Sequence, residues 1–369
     1  LNHLNRRQML QRAGMGIGSL GLASLLQQEG LAAQNPLAAK NPHFKTKAKS
    51  VIWLFINGGP SHVDTWDYKP ELAKRDGQAL EGFDRFTGFF ANAVGGLMKS
   101  PFEFKPHGQS GKHVSSIFPN LSKHVDKMAF IHSGHTESNN HSPALFAMNC
   151  GLPRMGYPCV GSWVTYGLGS ESDSLPAFVV MSDPKGRGLP KGHAANWGAG
   201  FLPSVYQGTH FRPTGDPIDN LKRPTGMNAE QQRRQLDLLK TLNQQHFEVN
   251  PFEESLAARI ESFELAYRMQ SAAPEALAVD KEPEHIRAMY GLEDDKCKHV
   301  AAQCLTARRM VERGVRFIQI YSGGMENQRS WDGHNDIAGN HSQFAGETDK
   351  PIAALLQDCL LYTSPSPRD

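Results

Sequence analysis

Short apolar runs alternating with longer helical stretches predict an α/β fold, a three-layer sandwich with helices on both faces of a mixed, mostly parallel sheet. Three observations carry this. The run 49–57 is continuously apolar between Val51 and Ile56 and is closed by Gly58, Gly59 and Pro60, as expected of a central strand buried on both faces. Similar runs recur at 128–132, 176–181 and 315–321, each followed by a polar or glycine-containing turn. Gly 35 and Pro 23 make a loop-rich composition, typical of proteins whose sites are built on strand-to-helix connections.

Along the chain, residues 1–34 read as an export signal of the twin-arginine type. Arg6 and Arg7 precede an uncharged stretch over 13–26, and Leu31, Ala32 and Ala33 form a small-residue cleavage site. That stretch is short and rich in glycine (Gly14, Gly16, Gly18, Gly21), so a cleaved leader is expected rather than a stable membrane span. The twin-arginine export machinery is then a partner, and the location is periplasmic or at the cell surface. A polar linker follows over 35–47, and the folded domain is expected over 48–358. Helices are predicted over 142–150, 162–167, 229–245, 252–270 and 300–313, with Pro251 dividing the long pair. A last helical pattern places Phe344, Ile352, Leu355 and Leu356 on one face. The segments 101–120 and 185–226 lack periodicity and read as excursions over the sheet edge. From Cys359 to Asp369 the pattern breaks into a Ser/Pro-rich stretch that resembles translated adapter sequence, so 359–369 is expected to be a non-native tail and the natural chain to continue.

Composition excludes several classes. With 39 Lys+Arg against 37 Asp+Glu the formal net charge is +2, which gives no field favouring nucleic acid or an anionic membrane. Apolar residues at 39% and a mean hydropathy of −0.47 exclude a polytopic membrane protein and a wholly disordered chain. The 5 Cys form no CxxC pair, so free thiols are expected rather than a zinc knot.

Ligands of a parallel sheet bind beyond the C-terminal ends of its strands, so the residues after each strand are the candidates. After the first come Ser61, His62, Asp64 and Asp67, suited to gripping an ion, with a helix N-cap at Ser61 or Asp64 as the plainer alternative. After 128–132 come His132, His135, Glu137, His141 and Ser142. These suit zinc, manganese or a phosphate-like anion, and Pro143 marks a helix start whose N-terminal dipole would lie beside Ser142 or His141. Ser142 and Pro143 also fit an ordinary N-cap and first helical position. After 315–321, Glu326, Asp332, His334, Asp336 and His341 mix carboxylate with imidazole, which suits zinc, manganese or calcium. Lys185, Arg187 and Lys191 could face an anionic substrate or simply be solvated.

At these residues the chain resembles a family of exported bacterial proteins known as a domain of unknown function, placed within the alkaline phosphatase and sulfatase superfamily. The likeness spans about 49–358. It is carried by the leader, the Phe55–Asp67 turn, Asn140-His141-Ser142, Val160-Gly161-Ser162-Trp163 and Trp331-Asp332-Gly333-His334. The resemblance implies an alkaline-phosphatase-like core and a divalent metal held by Asp64, Asp332 and His334, with His341 as a further candidate. It implies an attacking or water-orienting group at Ser142 or His141, and a phosphate or sulfate ester, small or glycan-borne, as substrate. Sulfatases carry a modified cysteine where this chain has His141, and Ala144 and Leu145 replace their Ser-Arg pair. Formylglycine chemistry is therefore not expected, and the nucleophile stays open. The family's later elements are not found here, so weak metal binding and little turnover are expected of these 369 residues. The rival expectations are a non-catalytic binder of sulfated or phosphorylated glycans and a structural envelope protein.

Overall fold

The computed structural model describes residues 36–363 except 46, 81, 83–94, 213–217, 219–220, 224 and 250–253, and omits the side chains of 247–262 and 361–363. The expected leader and the break at Pro251 lie outside the described residues. In chain order the elements are β1 (Val51–Ile56), α1 (His62–Thr65), α2 (Pro70–Lys74), β2 (Phe104–His107), β3 (Lys112–Ser115), α3 (His141–Cys150), α4 (Val160–Leu168), β4 (Phe178–Met181), β5 (Thr209–Phe211), α5 (Ala229–Val249), α6 (Glu254–Leu277), α7 (Glu284–Tyr290), α8 (Lys298–Val311), β6 (Phe317–Ser322) and α9 (Ile337–Thr363). The α/β class is as expected, and α9 continues through 359–363, the first residues of the expected tail.

The main sheet has the order β1-β6-β4-β5 and every pairing in it is parallel. The antiparallel component expected within it is instead a separate ribbon, β2-β3, inside the stretch expected to be irregular. Helices cover both faces. Because side chains alternate along a strand, Ile318 and Ile320 of β6 point to one core with Val179, Met181, Met269 of α6 and Ala307 and Met310 of α8. Phe317 and Tyr321 point to the other with Phe178, Val180, Leu145 of α3 and Cys159 before α4. Phe178 and Phe317 meet edge to face at 5.2 Å, and Gly161 lets α4 come down onto Phe178, whose ring lies 2.6 Å from where a β-carbon would stand. The Val160–Trp163 motif is therefore a packing device. Ser162 completes it by donating its hydroxyl to the Gly198 carbonyl at 3.1 Å.

Two expectations about strands are corrected. β1 is an edge of the described sheet and only partly buried, while β4 and β6 are the buried inner strands. Its unbroken apolar run arises because both faces are covered by helices, which says nothing about lateral neighbours. The run 128–132 is not a strand. Met128 closes a short 3-10 helix (Leu121–Lys127), Phe130 packs on Trp66 at 5.6 Å, and Ile131 is 94% exposed, so the apolar residues there serve a local aromatic cluster. Among the described residues no helix is long and apolar enough to cross a membrane.

Candidate functional site

Since β1, β4 and β6 run parallel, the loops that follow them leave the same rim of the sheet. The β1 loop and the β6 loop are locked together there. Asn57 accepts from the Trp331 amide at 3.0 Å, and its own side-chain amide donates to the carbonyls of Gly324 and Met325. Gly58 has φ +97, and a β-carbon there would stand 2.8 Å from the Asp332 nitrogen, so only glycine permits this approach. The Trp331 indole is buried and donates to Ser322 Oγ at 3.1 Å, which anchors the start of the Trp331–His334 motif under the rim.

Above that anchor, Asp332 lies between two imidazoles. Its Oδ1 is 2.7 Å from His334 Nε2 and its Oδ2 is 3.1 Å from His141 Nε2 at the start of α3. The backbone amide of Asn327, at the left-handed φ of +53, donates to Asp332 Oδ2 at 2.8 Å and fixes the carboxylate. The ligand atoms of His141, Asp332 and His334 all lie within 4.8 Å of one another. An ion bonded at roughly 2.0–2.2 Å sets tetrahedral donor separations of about 3.4 Å, so these side chains could close on one by small adjustments. Asp332 is nearly buried while both histidines are partly exposed, which leaves an open side.

Asp64 and His341, expected at the same ion, form a neighbouring group. Ser61 links them: its hydroxyl donates to Asp64 Oδ2 at 2.5 Å and its amide donates to His341 Nε2 at 2.9 Å. Both side chains are buried, and Asp64 Oδ1 and His341 Nδ1 have no hydrogen-bond partner among the described residues. Burial pushes the His341 imidazole below its ordinary value, although the nearby Asp64 carboxylate acts the other way. With Nε2 accepting from Ser61, the neutral ring carries its proton on Nδ1. Of the residues expected at one ion, Asp332 and His334 come together, while Asp64 and His341 form the separate buried pair. Asp332 and His334 group with His141, because α3 brings its first residue over the β6 loop while Asp64 turns inward on α1.

The start of α3 also differs from expectation. Asn140 is the cap, its side chain accepting from the Ser142 amide at 3.3 Å, so His141 and Ser142 occupy the first two helical positions. Pro143 then falls third, where a missing N–H still costs nothing. Ser142 keeps its place beside the helix N-terminus, next in the chain to His141.

Of the cations read as substrate-facing or solvated, Arg187 is nearly buried and Lys185 stays exposed. Both pair with Glu347 of α9, Lys185 Nζ at 3.0 Å and Arg187 Nη2 at 2.6 Å, and His299 of α8 adds a contact at 3.2 Å. Arg187 also bonds Asp183 at 3.0 Å, and Asp183 accepts from the Gly323 amide at 2.8 Å. Burial alone would raise the Glu347 carboxyl, but bonds from His299, Arg187 and Lys185 hold it far below the usual carboxylate range. This network ties the loop after β4 to the loop after β6. Asp183 lies just past a buried strand and was in that sense legible. Glu347 sits inside a helix and was not. A further charged contact joins Lys191 Nζ to Glu326 Oε2 at 2.5 Å.

Burial disfavours the thiolate at the cysteines inside the fold. All five are free; burial pushes the Cys150 and Cys304 thiols up to about 12 and Cys297 up to about 11.

The sequence profile of a family described as a protein of unknown function, DUF1501, matches residues 48–359, and the chain belongs to that family. No curated protein matches the chain. No solved structure matches it.

Proposed function

We propose that the chain is a metal-dependent hydrolase of phosphate or sulfate esters, with the divalent ion held by His141, Asp332 and His334. The convergence of these three side chains from α3 and the β6 loop carries the reading. Two imidazoles, one carboxylate and an open side make the donor pattern of a catalytic rather than a structural site. Zinc or manganese suits it. Calcium, also expected from the sequence, would find one carboxylate where it takes six to eight oxygens.

A bound ion would supply Lewis-acid polarisation of an ester oxygen and charge stabilisation at the leaving group. The chain's own residues do the rest. Asp332, fixed by the Asn327 amide, would offer its carboxylate to the ion between the two imidazoles. Ser142, with His141 assigned to the ion, is the remaining attacking or water-orienting side chain, and the N-terminal amides of α3 favour the negative charge of the ester group. Ser61, Asp64 and His341 form a buried second group, and the protonated His341 Nδ1 and the open Asp64 Oδ1 support a proton-holding role at the rim. The resemblance to the alkaline phosphatase and sulfatase superfamily, and an alkaline-phosphatase-like core, are part of this proposal, as are twin-arginine export and a periplasmic or cell-surface location read from residues 1–34.

A second reading is a non-catalytic binder of sulfated or phosphorylated glycans. It is favoured by His141, which stands where sulfatases carry their nucleophile and instead contacts Asp332. Hydrolysis of p-nitrophenyl phosphate and p-nitrophenyl sulfate across a zinc and manganese titration separates the two. Metal-dependent product supports the hydrolase; melting shifts with sulfated glycan and no product support the binder.

A further inference from the structure

Glu326 is held on both sides by bonds that fix its main chain. Upstream, Gly323 donates to the buried Asp183 carboxylate at 2.8 Å, Met325 donates to the Arg187 carbonyl at 3.4 Å, and the Asn57 amide reaches the carbonyls of Gly324 and Met325. Gly324 is pressed so closely on the Arg187 carbonyl that no β-carbon fits. Downstream, the very next residue, Asn327, spends its amide on Asp332 Oδ2 at 2.8 Å and takes a left-handed φ of +53 to do so. Such a conformation is unfavourable for a side-chain-bearing residue and persists where its surroundings impose it. A loop clamped this way fixes the backbone of Glu326 next in the chain to Asn327, whose amide holds the Asp332 carboxylate.

The other nearby carboxylates are already committed. Asp64 is buried on Ser61, and Asp336 accepts the Gly339 amide at 2.8 Å. Glu326 instead holds Lys191 at 2.5 Å in a pair whose two side chains are both about one-third exposed. Ion pairs of this kind are weak and screened, so a divalent ion competes for the carboxylate with little opposition. The Glu326 carboxyl lies below the usual range, chiefly through Lys191, and it also feels His141 and His334. Three ligands with one carboxylate leave a divalent ion with an excess positive charge, which a second carboxylate would neutralise.

We infer that Glu326 is the fourth protein ligand of the cation site, reached when its carboxylate leaves Lys191, and that Lys191, once released, becomes a cation available to the anionic group of the substrate. The inference rests on the metal reading of His141, Asp332 and His334 and extends it to a ligand exchange that couples ion loading to substrate binding.

Zinc affinity of the full chain, measured by competition with a chromophoric chelator, tests it with Glu326→Gln, Lys191→Met and Asp332→Asn beside the wild type. Expected is a loss of more than about 100-fold, beyond that of a group outside the coordination shell, for both Glu326→Gln and Asp332→Asn, and unchanged or tighter binding for Lys191→Met, which removes the competitor. Because the pair lies at the surface, the zinc-free melting curves of Glu326→Gln and Lys191→Met should overlay the wild type and exclude misfolding. Wild-type affinity in Glu326→Gln, or an equal loss in Lys191→Met, overturns the ligand exchange while leaving the three-residue site intact. A wild-type chain that binds no zinc overturns both.

Discussion

His141 and Asp332 are separated by 191 positions in the chain, yet His141 Nε2 lies 3.1 Å from Asp332 Oδ2 at the rim of the sheet. The contact joins the first residue of α3 to the loop after β6, and it changes the role of His141 from a candidate nucleophile to a candidate ligand. Ser142, the next residue, is thereby separated from it in function.

That separation is measurable. His141→Ala should lose zinc affinity by more than about 100-fold, beyond what a group outside the coordination shell typically costs. Ser142→Ala should keep zinc while losing ester turnover. Turnover by Ser142→Ala at the wild-type rate would remove Ser142 from the chemistry and leave the metal assignment standing.

The buried Glu347 makes stability depend on pH in a defined direction. Its folded-state pKa is depressed, so at low pH the unfolded chain binds a proton more readily than the folded one. The stabilisation is therefore complete above the ordinary glutamate value of 4.5 and drains away as the pH falls below it. Glu347→Gln leaves the nearly buried Arg187 with Asp183 as its remaining carboxylate and should cost about 1–3 kcal/mol at neutral pH. Urea unfolding at pH 7 and pH 4 checks both statements; the variant should also show a flatter acid limb than the wild type.

Helix α4 packs on the sheet at van der Waals contact. Gly161→Ala would drive a methyl group into the Phe178 ring and should destabilise by about 1–3 kcal/mol. Phe317→Ala, which empties the other half of that edge-to-face pair, should cost about 3–5 kcal/mol. Denaturant midpoints with unchanged slopes would register both as pure stability losses.

The thiols offer a check on burial. Cys359 is exposed, whereas Cys159, Cys297 and Cys304 are buried and Cys150 is partly so. A disulfide reagent at pH 8 should modify Cys359 quickly and the three buried cysteines after unfolding, with no bridged peptides in a non-reduced digest. Rapid labelling of Cys304 would contradict the packing of α8.

Much of the fold was readable because apolar runs and helical periodicity report burial directly: 176–181 and 315–321 became β4 and β6, and 142–150 became α3. What the sequence hides is lateral order. The run 49–57 carries the same signal as an inner strand although β1 lies at an edge, and 128–132 carries it although Phe130 merely joins an aromatic cluster. Asp332 and His334 were legible as a pair two positions apart after a strand. Their partner was not, since choosing His141 over Asp64 depends on where α3 begins, which Asn140 sets by capping it. Glu347 was invisible for the same reason: its meaning comes from Arg187 and His299, which arrive from distant elements.

The most direct test is the zinc bound at equilibrium when the protein is dialysed against a series of fixed free-zinc concentrations. The wild type should approach about one ion per chain at the top of the series, as suits a weak site, and Asp332→Asn should stay almost empty. A wild-type chain that emerges free of metal, or an Asp332→Asn chain that holds as much as the wild type, would contradict the site.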